Sequence, residues 1–360
     1  MIIAWLSIEN FRNHRSTKLS LDAERTLVVG PNGHGKTNLL EAVALLDGSG
    51  SFRGASAETL VRAGCDRAFV RAEIRRARRR HLVEMEIAAA GRSRAQVNGQ
   101  RVRSLRDLAE AVSAVVFCPA DLSIAAGGPS VRRELLDNVL TSTDREYRTT
   151  RRDFERALRQ RNNLLKQAGH RPDAEALATL DVWDAQLAEV GEAIAQRRDA
   201  LCTALVSPAQ DAYCRLAGCD ASLRLSYAAE WRESGLATAL AQARPDDLRR
   251  GTTAMGPHRD DMTICLDGMP ARTHASQGEQ RSIALALRLA QHRYTSHISG
   301  LEPIVLLDDV FSELDEGRAQ RLVGCLPVAQ TIVTSATGHV PPGIEVHSQV
   351  HIQDGEVISG

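Results

Sequence analysis

The sequence predicts an α/β protein, a mixed sheet with covering helices into which a mainly helical second lobe with a short helical hairpin is inserted. Three observations predict it. Residues 27–46 (LVVGPNGHGKTNLLEAVALL) pass from an apolar strand through a glycine-rich loop into an apolar helix. Residues 303–307 (PIVLL) form a fully apolar run of the kind found in strands buried on both faces of a parallel sheet. From Asp121 to about Arg250, Ala, Leu, Arg and Glu recur at helical spacing, a stretch far too long for a connection.

Taken in order, residues 2–8 read as a strand, Asn10 to His14 as a turn, and a second strand leads to the loop Gly30-x4-Gly35-Lys36-Thr37. In this context the pattern is a phosphate-binding loop. Glycines let successive backbone N–H groups and a helix N-terminus converge on phosphate oxygens. Gly30, Pro31, Asn32, Gly33, His34, Gly35, Lys36, Thr37 and Asn38 are therefore candidate ATP ligands, with Lys36 reaching the β/γ phosphates and Thr37 the Mg²⁺. The chain uses arginine almost everywhere and keeps three lysines, Lys18, Lys36 and Lys166, so a lysine here answers a need for a compact point charge.

After the loop helix, Arg53 sits in a Gly/Ser-rich connection. Residues 67–103 alternate as antiparallel strands, with Asn98-Gly99 as a two-residue hairpin turn. Residues 114–117 make another strand. Helices are expected over 130–140, 144–167 and 174–219, the last two split into a hairpin by Gly169-His170-Arg171-Pro172. Strands return at 262–266, a helix at 276–291, strands at 303–307 and 331–334, and a hairpin-like tail follows. The ATPase lobe is drawn as 1–118 with 251–360, holding a hairpin subdomain at 67–103, and the helical insertion as 119–250.

Two further segments complete a site. Asp308, ending the apolar strand, is placed to hold Mg²⁺, and Asp309 to orient an attacking water as the catalytic carboxylate beside Lys36. Ser276-Gln277-Gly278-Glu279-Gln280 opens a helix, offering Ser276, Gly278 and Gln280 to a γ-phosphate. Ser276 with Glu279 is equally a capping box, and both roles are compatible.

Composition frames these motifs. Hydrophobic residues at 43% and charged residues at 25% describe an ordinary globular chain, and no apolar run reaches membrane-spanning length. The opening IIAWLSI lacks the charged region and apolar core of a signal segment, so a cytoplasmic, nucleoid-associated protein with no membrane partner is expected. Seven scattered cysteines form no C-x2-C pair and read as reduced, mostly buried small hydrophobes. Net charge is zero, yet it is segregated: six arginines stand against Glu73 in 71–80, five arginines without an acid in 92–106, and eight basic residues against three acids in 145–166. Candidate DNA contacts are Arg75, Arg76, Arg78, Arg79, Arg92 and Arg94 on the hairpin sheet, and Arg148, Arg151, Arg152 and Arg159 on the insertion. For any one cluster, a solvated face is the plainer reading.

The ordered set of phosphate loop, SQGEQ, LLDD and SELD resembles the ABC-type ATPase heads of the SMC/Rad50 group. ENFRNHR, GPNGHGKTNLLEAV, SFRG, VVFCPADL, GGPSVRRELLD, GPHRDD and SQGEQRSIALALRLA are similar to the RecF family of bacterial recombination mediators over nearly the whole chain. The resemblance implies an ATP- and Mg²⁺-dependent homodimer that binds DNA at single-strand gap and duplex junctions, acts with RecR and RecO, and helps load RecA. It implies that Arg53 contacts phosphate and that Ser276 reaches the partner's nucleotide. Two departures stand out: Asp309 replaces the usual catalytic Glu, which favours weak, slow hydrolysis, and residues 331–335 lack the switch histidine, for which Thr334 or Ser335 can substitute. The Mg²⁺-sensing Gln, expected near Pro119 to Asp121, is not evident, and His339 reads as a surface residue. A transporter-type ATPase subunit and a structural clasp without useful turnover are the competing readings.

Overall fold

In the computed structural model, which describes residues 1–76, 79–169, 172–338, 340 and 342–359, the strongest alternation in the sequence becomes a six-stranded sheet. With strands numbered along the chain, β1 (Ile2–Phe11), β2 (His14–Ser20), β4 (Arg67–Arg76), β5 (Arg79–Ala88), β6 (Arg94–Val97) and β7 (Gln100–Arg101) pair antiparallel in the order β2-β1-β4-β5-β6-β7. Ala68, Val70, Ala72 and Ile74 of β4 and Val83, Met85 and Ile87 of β5 are buried on one face, as period-two alternation requires. Asn98 and Gly99 both have positive φ, 52° and 75°, the conformation of the expected two-residue turn.

A second six-stranded sheet carries the apolar strands. Its members are β3 (Arg25–Val29), β8 (Ala114–Phe117), β12 (Ile304–Leu307), β13 (Thr331–Ser335), β14 (Ser348–Gln353) and β15 (Glu356–Ser359), in the order β15-β14-β3-β13-β12-β8. All pairs from β14 to β8 are parallel, and β15 lies antiparallel on the edge. Every residue of β12 is fully buried. Leu307 pairs with both Val333 and Phe117, and Ser335 with Val29, so the carboxyl ends of these strands meet along one rim, where ligands of open α/β sheets bind. Helix α1 (Lys36–Leu45) is buried almost throughout and shares one apolar cluster with residues of both sheets.

The remaining helices are α2 (Ala57–Leu60), α3 (Leu122–Ala126), α4 (Pro129–Thr143), α5 (Arg145–Ala168), α6 (Ala174–Ala217), α7 (Leu236–Arg250), α8 (Ala271–His274), α9 (Gln277–Ser299) and α10 (Glu316–Cys325). Contacts partition the chain into Met1–Leu122 with Pro208–Asp220 and Ser276–Gly360, which holds both large sheets, and Ser123–Ser207 with Ala221–Ala275. The boundaries drawn from the change of periodicity lie at 119 and 250. Within the second unit α5 and α6 run antiparallel: Arg197 pairs with Asp144 and Glu146 at one end, and Arg161 with Asp184 at the other. Of Gly169-His170-Arg171-Pro172, expected to split them, His170 and Arg171 lie outside the described residues.

Two expectations are corrected. The helical reading up to Arg250 passed over β9 (Leu223–Ala228), which pairs antiparallel with β10 (Asp261–Leu266) in a three-stranded sheet closed by β11 (Met269–Pro270). LRLSYA alternates strictly between buried and exposed, a period-two signal only six residues long between two helices. The cysteines are all free, but Cys202 alone is buried, Cys219 is exposed and the other five are partly buried.

Candidate functional site

The phosphate loop starts where β3 ends at the rim. Gly30 is a glycine because a Cβ there would collide with the Ile352 carbonyl of β14. Gly33 and Gly35 adopt φ of 82° and 112°, which L side chains resist, and Gly35 opens α1. Lys36 is 3% exposed, and its ammonium donates to the Gly30 carbonyl at 2.8 Å, the Pro31 carbonyl at 3.2 Å and Asn32 Oδ1 at 3.4 Å. A buried cation held only by neutral oxygens is matched to an anion.

Across the rim, Thr37 Oγ1 donates to Asp308 Oδ1 at 2.8 Å. Thr334 Oγ1 donates to the same oxygen at 3.1 Å and accepts the Asp309 N–H at 2.8 Å. Burial pushes the Asp308 carboxyl above its ordinary range, Asp309 adds to this, and the two hydroxyls and Arg53 only partly reverse it. A divalent cation beside these hard oxygens would supply the missing countercharge, so the residues fit Mg²⁺. Asp309 itself sits at φ 48°, a left-handed position that Asp tolerates, and leads into the single turn Val310–Glu313.

Ser276 caps α9: it accepts the Glu279 N–H at 3.3 Å, and Glu279 returns a bond to the Ser276 N–H at 2.7 Å. A Cβ on Gly278 would lie 2.9 Å from Arg318 Nη2, whose guanidinium is fixed by Asp315 at 2.7 Å. Arg281 bonds the carbonyl and carboxylate of Glu313. The SQGEQ helix start and the SELD turn thus hold each other, while Gln280 is buried in the helix.

Arg53 Nη1 donates to Asn38 Oδ1 at 3.3 Å, and Asn38 Nδ2 donates to Asn13 Oδ1 at 2.8 Å, so three site residues form one chain beside α1. Sequence reasoning missed what anchors this chain. Arg12 makes a two-pronged ion pair with Glu41, fully buried on α1, at 2.9 and 3.0 Å, and Ser51 also donates to Glu41. Sequence reasoning also missed the tail's part in the loop. The Gly355 N–H donates to the His34 carbonyl at 2.9 Å, His34 Nδ1 lies 3.1 Å from Asp354, Thr17 donates to the Gly355 carbonyl at 2.9 Å, and His14 Nε2 faces the Gly35 carbonyl at 3.0 Å. Burial lowers the His14 pKa, with the Gly35 and Gly355 carbonyls opposing. The signal was available in ENFRNHR and the Asp354-Gly355 turn, but these contacts span hundreds of residues.

After β8, where a Mg²⁺-sensing Gln was expected, Asp121 accepts the Cys118 N–H at 2.9 Å and pairs with Arg288 at 2.6 Å. Burial, with Asp121 adding, pushes the Cys118 thiol up to about 12.

The arginine candidates fall into two groups. On the first sheet, Arg75 pairs with Glu73 at 2.9 Å, Arg76 donates to the Glu110 carbonyl at 2.8 Å, Arg92 donates to the Arg103 carbonyl at 3.5 Å, and Arg79 and Arg94 are exposed. Arg78 and His339 lie outside the described residues. On α5, Arg148 donates to the Thr141 carbonyl at 3.1 Å, Arg151 pairs with Glu155 at 3.0 Å and approaches Asp137 at 3.7 Å, Arg152 lies 3.9 Å from Asp153, and Arg159 is exposed.

With this geometry in hand, three comparisons place the chain. The sequence model of the RecF/RecN/SMC N terminal domain matches residues 2–359. The DNA replication and repair protein RecF of Streptomyces avermitilis is 40% identical over 372 residues, covering 99% of each chain, and that of Kineococcus radiotolerans is 39% identical over 391 residues, covering all of both. Among solved structures, the recombination mediator protein RecF with ATP, in the RecFOR pathway, superposes with a TM-score of 0.90 at 30% identity, covering 99% of this chain and 96% of that one. An Smc head domain with an extended coiled coil from Pyrococcus furiosus gives a TM-score of 0.54 at 16% identity, a likeness of fold alone.

Proposed function

We propose, from the premise that this chain belongs to the RecF branch of the RecF/RecN/SMC family of DNA replication and repair proteins, that it is an ATP-operated dimer that binds DNA in recombinational repair and replication restart. The single observation that carries this is Asp308, buried and hydrogen-bonded by two hydroxyls on the rim shared with Lys36. Lys36 and the loop amides hold the β- and γ-phosphates of ATP. Thr37 and Asp308 would hold Mg²⁺, which neutralises phosphate charge. Asp309 orients the attacking water, its carboxylate one methylene shorter than a Glu, so turnover lies at the slow end of about 1–1000 per second or below. Thr334 fixes Asp309 through its N–H and takes the positioning role of the missing switch histidine. Ser276, Gly278 and Gln280 complete the site of a second copy.

In this reading the exposed arginines contact DNA backbone at single-strand gap and duplex junctions. With 4% aromatic residues the chain has little to stack on bases, which favours sequence-independent contacts. Action with RecO and RecR in loading RecA is part of the same reading, and the RecFOR pathway named for the solved relative supports it.

Sedimentation with ATP and Mg²⁺ tests the reading. Monomers should become dimers, Ser276→Arg should abolish dimers while leaving ATP binding intact, and Asp309→Asn should accumulate them on DNA. Dimerisation unchanged by Ser276→Arg would remove the shared-site reading.

A further inference from the structure

Five arginines line one cavity of about 420 Å³ at the β7 end of the first sheet, and we propose that this cavity seats consecutive backbone phosphates of a nucleic acid strand. The inference rests on the DNA-binding reading above and states where the contact is made. Arg94 opens β6 and Arg92 lies two residues before it, Arg101 comes from β7, Arg103 from the segment that follows, and Arg106 from the turn Leu105–Glu110.

Among the described residues no carboxylate lines the cavity, and those nearby are engaged elsewhere. Glu86, opposite Arg94 in the β5–β6 register, pairs with Arg67 at 2.5 Å. Glu84 accepts from Gln96 at 2.6 Å, and Asp107 accepts the Ser104 N–H at 3.0 Å. Among the described residues no ion pair neutralises any of the five, so their mutual repulsion is uncompensated within the chain. Such a concentration of guanidinium forks matches phosphate oxygens.

The walls are set before any ligand arrives. The Asn98-Gly99 turn fixes β6 against β7, and the Ser104–Asp107 capping box fixes the turn that carries Arg106. Gly48, just beyond α1, forms part of the floor; it has φ 76°, and a Cβ there would collide with the Leu105 carbonyl. Among the described residues no aromatic ring lines the cavity, so they offer no stacking platform and contacts to the strand are independent of sequence. Three of these arginines, Arg101, Arg103 and Arg106, extend the contact surface beyond the sheet and helix arginines considered above.

The test uses the full chain with ATP and Mg²⁺, arginine-selective labelling by p-hydroxyphenylglyoxal, and peptide mass spectrometry, in the presence of duplex DNA of unrelated sequences or of poly-glutamate. DNA at saturation should reduce labelling of Arg92, Arg101 and Arg103 about tenfold, the reduction left by roughly 90 per cent occupancy. Labelling of the exposed Arg224, Arg249 and Arg250 in the second unit should stay unchanged. The triple variant Arg101→Ala, Arg103→Ala, Arg106→Ala should flatten the salt dependence of DNA binding by up to about three units. DNA that binds without protecting the cavity overturns this assignment and leaves the DNA-binding reading standing. A chain that binds no DNA overturns both. Protection by poly-glutamate but not by DNA overturns it in favour of an acidic protein partner.

Discussion

In the second unit Arg161 is fully buried, 2.5 Å from Asp184 and 2.7 Å from Asp247, and Arg198 grips Asp137 with two nitrogens at 2.8 and 2.9 Å. At the phosphate loop, Lys36 and Asp308 are almost as buried, yet the first meets neutral oxygens and the second two hydroxyls. Burial alone would lower the Arg198 pKa, but Asp137 with Tyr147 and Tyr227 more than reverses this, and the guanidinium stays above its ordinary value. Burial holds Asp247 above its ordinary range despite Arg161, and Asp308, with hydroxyls and, among the described residues, no guanidinium bonded to it, stays raised as well. The same residue types build both interiors; where charges are matched the network organises a fold, and where they are left short it awaits a ligand.

That contrast also explains GPHRDD, which the sequence singles out without showing its task. Arg198 donates to the Pro257 carbonyl at 2.6 Å, Arg133 to the Asp260 carbonyl at 2.7 Å, Tyr227 and Trp231 donate to the Asp260 carboxylate at 2.6 and 2.8 Å, and Arg132 pairs with Asp261 at 2.8 Å. The motif ties helices to β10 and belongs to the matched interior.

The contrast breaks if the two kinds of site respond alike to losing a charge. The largest effect is expected from Arg161→Ala, which leaves Asp184 and Asp247 buried without it and should cost the second unit about 3–5 kcal/mol. Hydrogen exchange of α5 and α7 should report this while ATP affinity stays near normal. Lys36→Met should do the reverse: exchange in β3 and α1 nearly unchanged, and ATP affinity lower by about 10- to 150-fold, the loss of about 1.5–3 kcal/mol for a bond to a charged group. Equal destabilisation by both variants would erase the distinction. A smaller effect is expected from Thr334→Val, which removes the hydroxyl between Asp308 and Asp309; turnover should fall by about 5- to 10-fold, near 1 kcal/mol, with ATP affinity kept. Thr334→Ser should restore it, and a variant indifferent to the hydroxyl would return Thr334 to ordinary packing.

What could be read from the sequence follows from how local each signal is. The phosphate loop, the fully buried β12, the Asn98-Gly99 turn and the helix starts at Ala174 and near Arg145 are written in contiguous residues and sit where periodicity and capping placed them. The rest depends on partners distant in the chain. Nothing local to Glu41 points to Arg12, which pairs with it from 29 residues away, and nothing local to the Asp354-Gly355 turn of the hairpin-like tail points to His34. Where a sensing Gln was expected, Asp121 pairs with Arg288, more than a hundred residues on. Short β9 was lost between helices because six alternating residues weigh little beside them.

The most direct measurement follows the stability of the first unit in wild type and Asp308→Asn, with EDTA and then with Mg²⁺ and ATP. A carboxyl whose pKa is raised by folding favours the folded state when protonated, and that advantage is lost as pH rises through the raised value. At neutral pH with EDTA, Asp308→Asn should therefore be at least as stable as wild type. With Mg²⁺ and ATP at about 100 times the dissociation constant, wild type should gain about 2.7 kcal/mol and the variant much less. An equal gain in both proteins, or a wild type indifferent to Mg²⁺, would contradict the account.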